Sequence, residues 1–297
     1  MNHKFKHVAV LKGGISPERE VSLRSGGAVA GGLRQCGYVV SEIDVTAPNL
    51  ELPKEVEAVF IALHGTFGED GQVQRLLLKR GTPYTGADPE ASWLAFDKNL
   101  TKNMLVRLDI ATPPYEIIDS RRQKRTKPLP LVVKPTRQGS SCGVHRVLND
   151  EEWDAALADA LSYNDEVLVE SYIAGRELTV GIVDGEVLPV IEIRAPEGNY
   201  DYRAKYTKGV TEYLVPAPLK EEATQQCQRL GLETYRALRC RGMGRVDMRM
   251  ALDGRVYVLE LNTIPGFTET SLLPKAARAA GHAFPELCER IMETAAL

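Results

Sequence analysis

The segment GRVDMRM (244 to 250) faces VYVLELNTIPG (256 to 266) across a short turn at Asp253-Gly254, and both read as strands. Asp247, Glu260 and Asn262 then stand on adjacent strands as hard oxygen donors. Magnesium needs few protein ligands, all oxygen, and leaves the rest of its octahedron to phosphates and water, so the set points to a metal–nucleotide site. The plainer alternative is a hairpin with ordinary surface carboxylates. Against it, Glu260 lies inside the apolar run VYVLEL, where an unpaired carboxylate is costly to bury.

A second constellation is LVVKPTRQGSSCG (131 to 143). Lys134 leaves an apolar strand beside a Gly/Ser loop, where it can meet a phosphate as a point charge while backbone N–H groups close over phosphate oxygens. A Gly/Ser loop alone is more often a turn. Neither a GxxxxGK[ST] loop nor GxGxxG occurs in the chain, so two common nucleotide motifs are absent. Gly139-Ser140-Ser141-Cys142-Gly143 also satisfies GxSxG, the elbow of serine hydrolases. That elbow requires a helix directly after it, whereas Val144 to Val147 alternates like a strand, and His282 lies in a Gly/Ala-rich turn.

These residues need a sizeable scaffold. With 297 residues, 43% of them hydrophobic, the chain can form two or three units. Lys and Arg number 37 against 40 Asp and Glu, a net charge of −3, so no broad cationic field is available for nucleic acid or an anionic membrane. Five scattered cysteines without a CxxC pair read as reduced thiols rather than disulfides or a zinc site; Cys142 reads as a small buried residue. The N-terminal apolar run is too brief for a signal-peptide core, and no stretch approaches the roughly 20 apolar residues of a membrane helix. The expected location is the cytoplasm.

Along the chain, His7 to Leu11 reads as a strand ending at Gly13-Gly14. Ser16-Pro17 is expected to cap a helix with Pro at its first position; that helix ends near Gly37, before a strand from Tyr38 to Val45. This is the βαβ rhythm of a parallel sheet. Another apolar run spans Ala58 to Leu63, then helices are expected over Gln72 to Arg80 and Asp97 to Leu108, with a boundary near Ala95. A small α+β unit follows, with strands Leu129 to Lys134, Val144 to Val147 and Glu166 to Ser171 around a helix from Glu151 to Leu161. Strands Glu177 to Val183 and Val187 to Arg194 precede a polar segment, 195 to 212, that suits a mobile lid. A helix over 220 to 239, the hairpin and a helix over 284 to 295 close the chain.

GGISPEREVSLRSG (13 to 26), HGTFGEDG (64 to 71), KPTRQGSSCGV (134 to 144), YDYRAKY (200 to 206), GRVD (244 to 247) and ELNTIPGFTETSLLP (260 to 274) stand in the order found in D-alanine–D-alanine ligases. The chain resembles that family, within the ATP-grasp superfamily, over nearly its whole length. The resemblance implies an ATP-grasp fold: an N-terminal parallel-sheet α/β domain (1–95), a central α+β domain (96–173) and a C-terminal α+β domain (174–297), the last two enclosing ATP. It implies that Glu18, near His64, receives the ammonium of a first D-alanine, and that Ser140 and Tyr206 tie to Glu18 and close the lid. The plain reading of Glu18 is a carboxylate complementing a helix N-terminus. Lys98, Lys134 and Lys205 match phosphate-facing lysines. Glu170, Ser171 and Ile173 match an adenine-binding hinge, and Glu177 a ribose contact. Arg245 and the Gly266 N–H match oxyanion stabilisers, and Ser271 and Leu272 match the groups that hold the carboxylate of the second D-alanine. Asp247, Glu260 and Asn262 match ligands for Mg²⁺ or Mn²⁺, as a pair of ions. A homodimer is the usual assembly of that family.

The implied activity is ligation of two D-alanines through an acyl-phosphate, for peptidoglycan precursors. Tyr206 resembles dipeptide-forming rather than D-lactate-using ligases. An ATP-grasp ligase for another amino-acid pair, or a nucleotide-binding module without turnover, are the alternatives. The sequence departs from the family's pattern in the short basic stretch between Ile118 and Leu129 and at Arg249, where an apolar contact near the nucleotide is expected.

Overall fold

The computed structural model describes residues 3–196, 209–268 and 271–297. Lys205, Tyr206 and most of the segment expected to act as a lid lie outside them.

The chain opens with strand β1 (His7–Gly13), helix α1 (Arg19–Gln35), strand β2 (Val39–Val45) and strand β3 (Ala58–Ile61), paired in parallel in the order β2-β1-β3. Val8 to Leu11 are buried on both faces, as a continuous apolar run in a parallel sheet requires. Helix α1 begins two residues later than its Ser-Pro signal suggests. Ser16 Oγ accepts the Glu18 N–H at 3.2 Å, as its capping signal predicts, and also donates to the His64 carbonyl at 2.6 Å, while Glu18 occupies the N-cap position without a side-chain cap bond. One hydroxyl thus serves a local N–H and a distant carbonyl together.

Helix α2 (Gln72–Arg80) forms where its pattern predicts. Two helices then follow back to back: α3 (Pro89–Phe96), which the apolar pattern does not reveal, and α4 (Lys98–Arg107). The signal for α3 is local, since Asp88 accepts the Ala91 N–H at 2.8 Å and Pro89 takes the first turn. Asp97 caps α4 in the same way. A four-stranded antiparallel sheet comes next, made of β4 (Tyr115–Ile118), β5 (Leu131–Pro135), β6 (His145–Val147) and β7 (Val167–Ser171), in the order β4-β7-β5-β6 with α5 (Trp153–Tyr163) against it.

The largest sheet is also antiparallel. It contains β8 (Gly175–Val183), β9 (Glu186–Val187), β10 (Ile191–Arg194), β11 (Glu212–Leu214), β12 (Met243–Ala251) and β13 (Val256–Asn262), in the order β11-β10-β8-β12-β13 with β9 on β8. The strand expected over Val187 to Arg194 is therefore two, because Pro189 lacks the N–H a continuous ladder needs. Helix α6 (Glu221–Ala237) covers this sheet, and α7 (Leu272–Ala279) and α8 (Phe284–Glu293) end the chain.

The hydrophobic cores cut across sequence order. Leu105 and Ile110, next to the central segment in sequence, are buried with Leu178, Val246 and Val258 of the largest sheet. Leu273, Leu287 and Ile291, at the end of the chain, are buried with Val8, Val10 and Phe60 of the first sheet. Tyr84 and Ala296 exchange both backbone hydrogen bonds, at 3.1 and 3.2 Å, which fixes the C-terminus to the N-terminal unit. Helix α4 thus belongs physically to the C-terminal core, since its apolar face finds its partner there.

Candidate active site

One cleft lies where the four-stranded sheet and the largest sheet approach each other, with Lys98, Lys134, Glu170, Ser171, Ile173, Glu177, Asp247, Glu260 and Asn262 all in its wall. Strand β5 delivers Lys134 and β7 delivers Glu170. Both are buried, and they meet at 2.6 Å. The second oxygen of Glu170 meets Lys102 at 2.7 Å, a residue the sequence reading passed over. Burial alone would raise the Glu170 carboxyl, but Lys102 and Lys134 overcome it and hold the group below the usual carboxylate range. Burial would likewise lower Lys134, yet Glu170 and Glu260 keep it above the ordinary lysine value. Glu170, expected as an adenine contact, therefore has its carboxylate committed to two lysines.

Lys98 opens helix α4, donates to the Gln138 carbonyl at 2.7 Å and lies 3.4 Å from Glu260. That pairing explains how Glu260 tolerates its apolar strand. Asp247 and Glu260 are paired residues of β12 and β13, and the ladder shifts register between Asp247 and Met248, a bulge that re-aims side chains locally. Asp247 accepts from Thr179 Oγ1 at 2.6 Å, from both arms of Arg245 at 2.9 and 2.8 Å, and from Asn262 Nδ2 at 3.0 Å. Two carboxylates and an amide oxygen beside phosphate-ready lysines suit a small hard cation that takes its other ligands from phosphate and water. Among the described residues no cluster of three or more His, Cys, Asp or Glu is assembled, so a site built wholly from such groups is not present there.

At the end of β7, the Ser171 and Tyr172 N–H groups donate to the Pro114 and Pro130 carbonyls at 2.9 and 3.0 Å. Arg249, where an apolar contact was expected, lies over the Tyr172 ring at 5.1 Å and 3.6 Å from Glu177; Arg146 lies over the same ring at 5.4 Å. A guanidinium stacked on an aromatic ring offers a flat, partly apolar surface, which reconciles its charge with this place.

A second cavity adjoins the first and shares Gly139, Ser140, Glu69 and Asn262 with it; its wall holds Glu18, His64, Arg245, Gly266, Ser271 and Leu272. Ser140 Oγ donates to Glu18 Oε1 across 122 residues of sequence. Ser140 and Ser141 have φ of 49° and 59°, left-handed values that side chains seldom adopt and that are held by the loop's surroundings. Backbone passes close to Glu18 on both sides: a Cβ at Gly139 would stand 2.7 Å from its Oε2 and displace the end of that side chain, and one at Gly65, where φ is +70°, would stand 2.6 Å from it. The loop is followed by strand β6, not by a helix, so the hydrolase elbow is not formed.

His64 is buried between Ser25 Oγ, 3.1 Å from its Nε2, and Glu69, 3.5 Å from its Nδ1. The same Ser25 oxygen accepts the Phe267 N–H at 3.2 Å, next to Gly266. Ser25 and Glu69, also unforeseen, thus join the His64 and Gly266 segments, and both lie in the motifs GGISPEREVSLRSG and HGTFGEDG. Ser271 is the N-cap residue of α7 and its Oγ accepts the Thr268 N–H at 3.1 Å, placing a helix N-terminus, favourable to a carboxylate, at the cavity.

A parallel-sheet domain against two antiparallel sheets that clasp a lysine-lined cleft defines the ATP-grasp class of nucleotide-dependent enzymes. The comparisons narrow it. The family profiles described as D-ala D-ala ligase N-terminus and D-ala D-ala ligase C-terminus match residues 45–87 and 104–293. The D-alanine–D-alanine ligases of Syntrophotalea carbinolica and Methylacidiphilum infernorum are 51% and 48% identical, covering 98% and 97% of this chain and 97% and 95% of theirs. The Bacillus anthracis D-alanine–D-alanine ligase solved in complex with ATP superposes with a TM-score of 0.87 at 34% identity, covering 97% of each chain. This chain belongs to the D-alanine–D-alanine ligase family.

Proposed function

We propose that this chain joins two D-alanines at the expense of ATP, releasing ADP and phosphate, with each substrate held in one of the two adjoining cavities. The observation that carries it is the shared wall. The Gly139-Ser140 loop faces the lysine-lined cleft on one side and bonds Glu18 on the other, so a phosphoryl donor and an amino acid bound on its two sides become neighbours. Relatives named D-alanine–D-alanine ligase over almost the full chain support the same reading.

In this reading Glu18 and His64 orient the first D-alanine, whose carboxylate attacks the γ-phosphorus; the bond to ADP breaks and an acyl-phosphate forms. Lys98 and Lys134, with Lys205 outside the described residues, neutralise charge on the phosphates. Asp247, Glu260 and Asn262 would hold Mg²⁺ or Mn²⁺, which supplies further neutralisation of phosphate charge. The amine of the second D-alanine, its carboxylate held by Ser271 and Leu272, attacks the carbonyl, and phosphate leaves. Arg245 and the Gly266 N–H stabilise the oxyanion of that step. Ser171, Ile173 and Glu177 receive the adenosine, and Tyr206, also outside the described residues, closes over the site with Glu18 and Ser140.

The proposal extends to three units in sequence, 1–95, 96–173 and 174–297, with α4 of the second packed into the core of the third, to a homodimer, and to a cytoplasmic setting for peptidoglycan precursor synthesis. No described helix is long and apolar enough to cross a membrane. The test is phosphate release from Mg·ATP with D-alanine, L-alanine, D-serine or D-lactate, with products identified by mass. Release that depends on D-alanine and yields its dipeptide is expected. ATP binding without release on any of these would favour a binding module.

A further inference from the structure

Lys102 lies one helical turn beyond Lys98 on α4, is fully buried, and takes no part in the steps above. Its ammonium meets Glu170 at 2.7 Å, Thr112 Oγ1 at 2.5 Å and the Val258 carbonyl at 3.4 Å. A buried ammonium is costly unless paired, yet Glu170 already has a partner in Lys134. One carboxylate thus serves two lysines, and the buried triad has a net charge of one positive unit.

The arrangement has a direction. Lys102 has no exposed surface, whereas Lys134 retains 7% of its side-chain exposure and lines the nucleotide cleft. A Glu170–Lys134 pair alone would be neutral, and Lys134 would offer a phosphate little net attraction. A second ammonium behind Glu170 reverses that.

We propose that Lys102 is a positioning residue that cancels Glu170 from behind, so that Lys134 keeps its positive charge available to the phosphates of the bound nucleotide. The inference rests on the reading of the cleft as the nucleotide site. It separates a charge role from a strut: a strut bridging β7 and β13 would need only to fill space and hydrogen-bond, while a charge role is felt in proportion to the charge of the ligand.

The test compares binding of Mg·ATP and of adenosine by calorimetry in the full chain, for wild type, Lys102→Met, Glu170→Gln and the double variant. The loss of one charge-assisted phosphate contact corresponds to about 30-fold in affinity. Lys102→Met is expected to weaken ATP by about that factor and adenosine by less than about threefold. In the Glu170→Gln background the same change should weaken ATP by less than about threefold, because no carboxylate is left to cancel. Unchanged ATP affinity in Lys102→Met, or an equal loss for ATP and adenosine, overturns the proposal. If Lys102→Met alone does not fold, the Glu170→Gln background decides: a large loss of ATP affinity there overturns the proposal, and a small one supports it. Failure of the wild-type protein to bind Mg·ATP would overturn the nucleotide reading itself.

Discussion

The two adjoining cavities are built by different means. The nucleotide cleft is a set of fixed charges on regular strands and one helix: Lys134 on β5, Glu170 on β7, Lys98 and Lys102 on α4, Glu260 on β13. The amino-acid cavity is held mostly by directional hydrogen bonds between loops and helix starts, with few charges among them: Ser140 donates to the Glu18 carboxylate, and Ser25 pairs with His64 and accepts the Phe267 N–H. A highly charged ligand calls for preformed counter-charge on rigid elements, where reorganisation is small. A small zwitterion calls for placement, which a few directional bonds supply. The difference predicts that substitutions in the cleft act on nucleotide affinity, and those around Glu18 on amino-acid affinity.

Arg245 stands where the two meet, and its replacement should have the largest effect. Arg245→Ala removes the proposed oxyanion donor and also the fork that holds Asp247, so kcat should fall about 100- to 1,000-fold. Steady-state kinetics with both substrates saturating measure it. Gly139→Ala places a Cβ 2.7 Å from Glu18 and should push that carboxylate from Ser140. The KM for D-alanine should rise about tenfold, with the KM for ATP nearly unchanged, if the two cavities are as separable as their construction suggests.

A third test exploits pH. Burial lowers Lys102 to about 8 against the upward pull of Glu170, with the neighbouring charge of Lys134 lowering it further and Glu260 adding a weaker upward pull. The folded value lies below the ordinary 10.5, so the unfolded chain binds more protons between the two. This group's contribution to stability therefore rises with pH through that window and is lost as pH falls through about 8. ATP affinity should move the opposite way, weakening above about 8 as the triad loses its surplus charge. Denaturant melts and ATP titrations across the window check both signs, and neither trend should survive in Lys102→Met. The smallest effect is expected for Ser25→Ala, which loses one neutral bond to His64 and one from Phe267; the KM for D-alanine should rise about fivefold without change in ATP binding.

The parts of the molecule written in local pattern were legible in the sequence. Helix α2 spans the residues its pattern marks, and Glu260 and Asn262, two apart on β13, share a face as strand alternation requires, whereas Asp247 falls opposite Glu260 only through the register shift after it, which the turn at Asp253-Gly254 does not set. Features that depend on distant partners were not. The Ser16 hydroxyl makes its local bond to the Glu18 N–H, but its second bond, to the His64 carbonyl 48 residues away, has no local signal. Lys102 looks like an ordinary helical lysine until Glu170 is brought beside it, 68 residues on, by a sheet whose position no local pattern encodes. The core shared by Leu105 and Val258 belongs to the same class: apolar periodicity shows that a face is buried, not against what.

The central claim is that a phosphoryl group passes to the carboxylate of one D-alanine before the second attacks. Turnover with D-alanine labelled with ¹⁸O in its carboxylate, followed by mass analysis of the released phosphate, tests it most directly. The account predicts that each phosphate carries a single ¹⁸O drawn from the carboxylate, left behind when the amide forms. Dipeptide formed with unlabelled phosphate would contradict it.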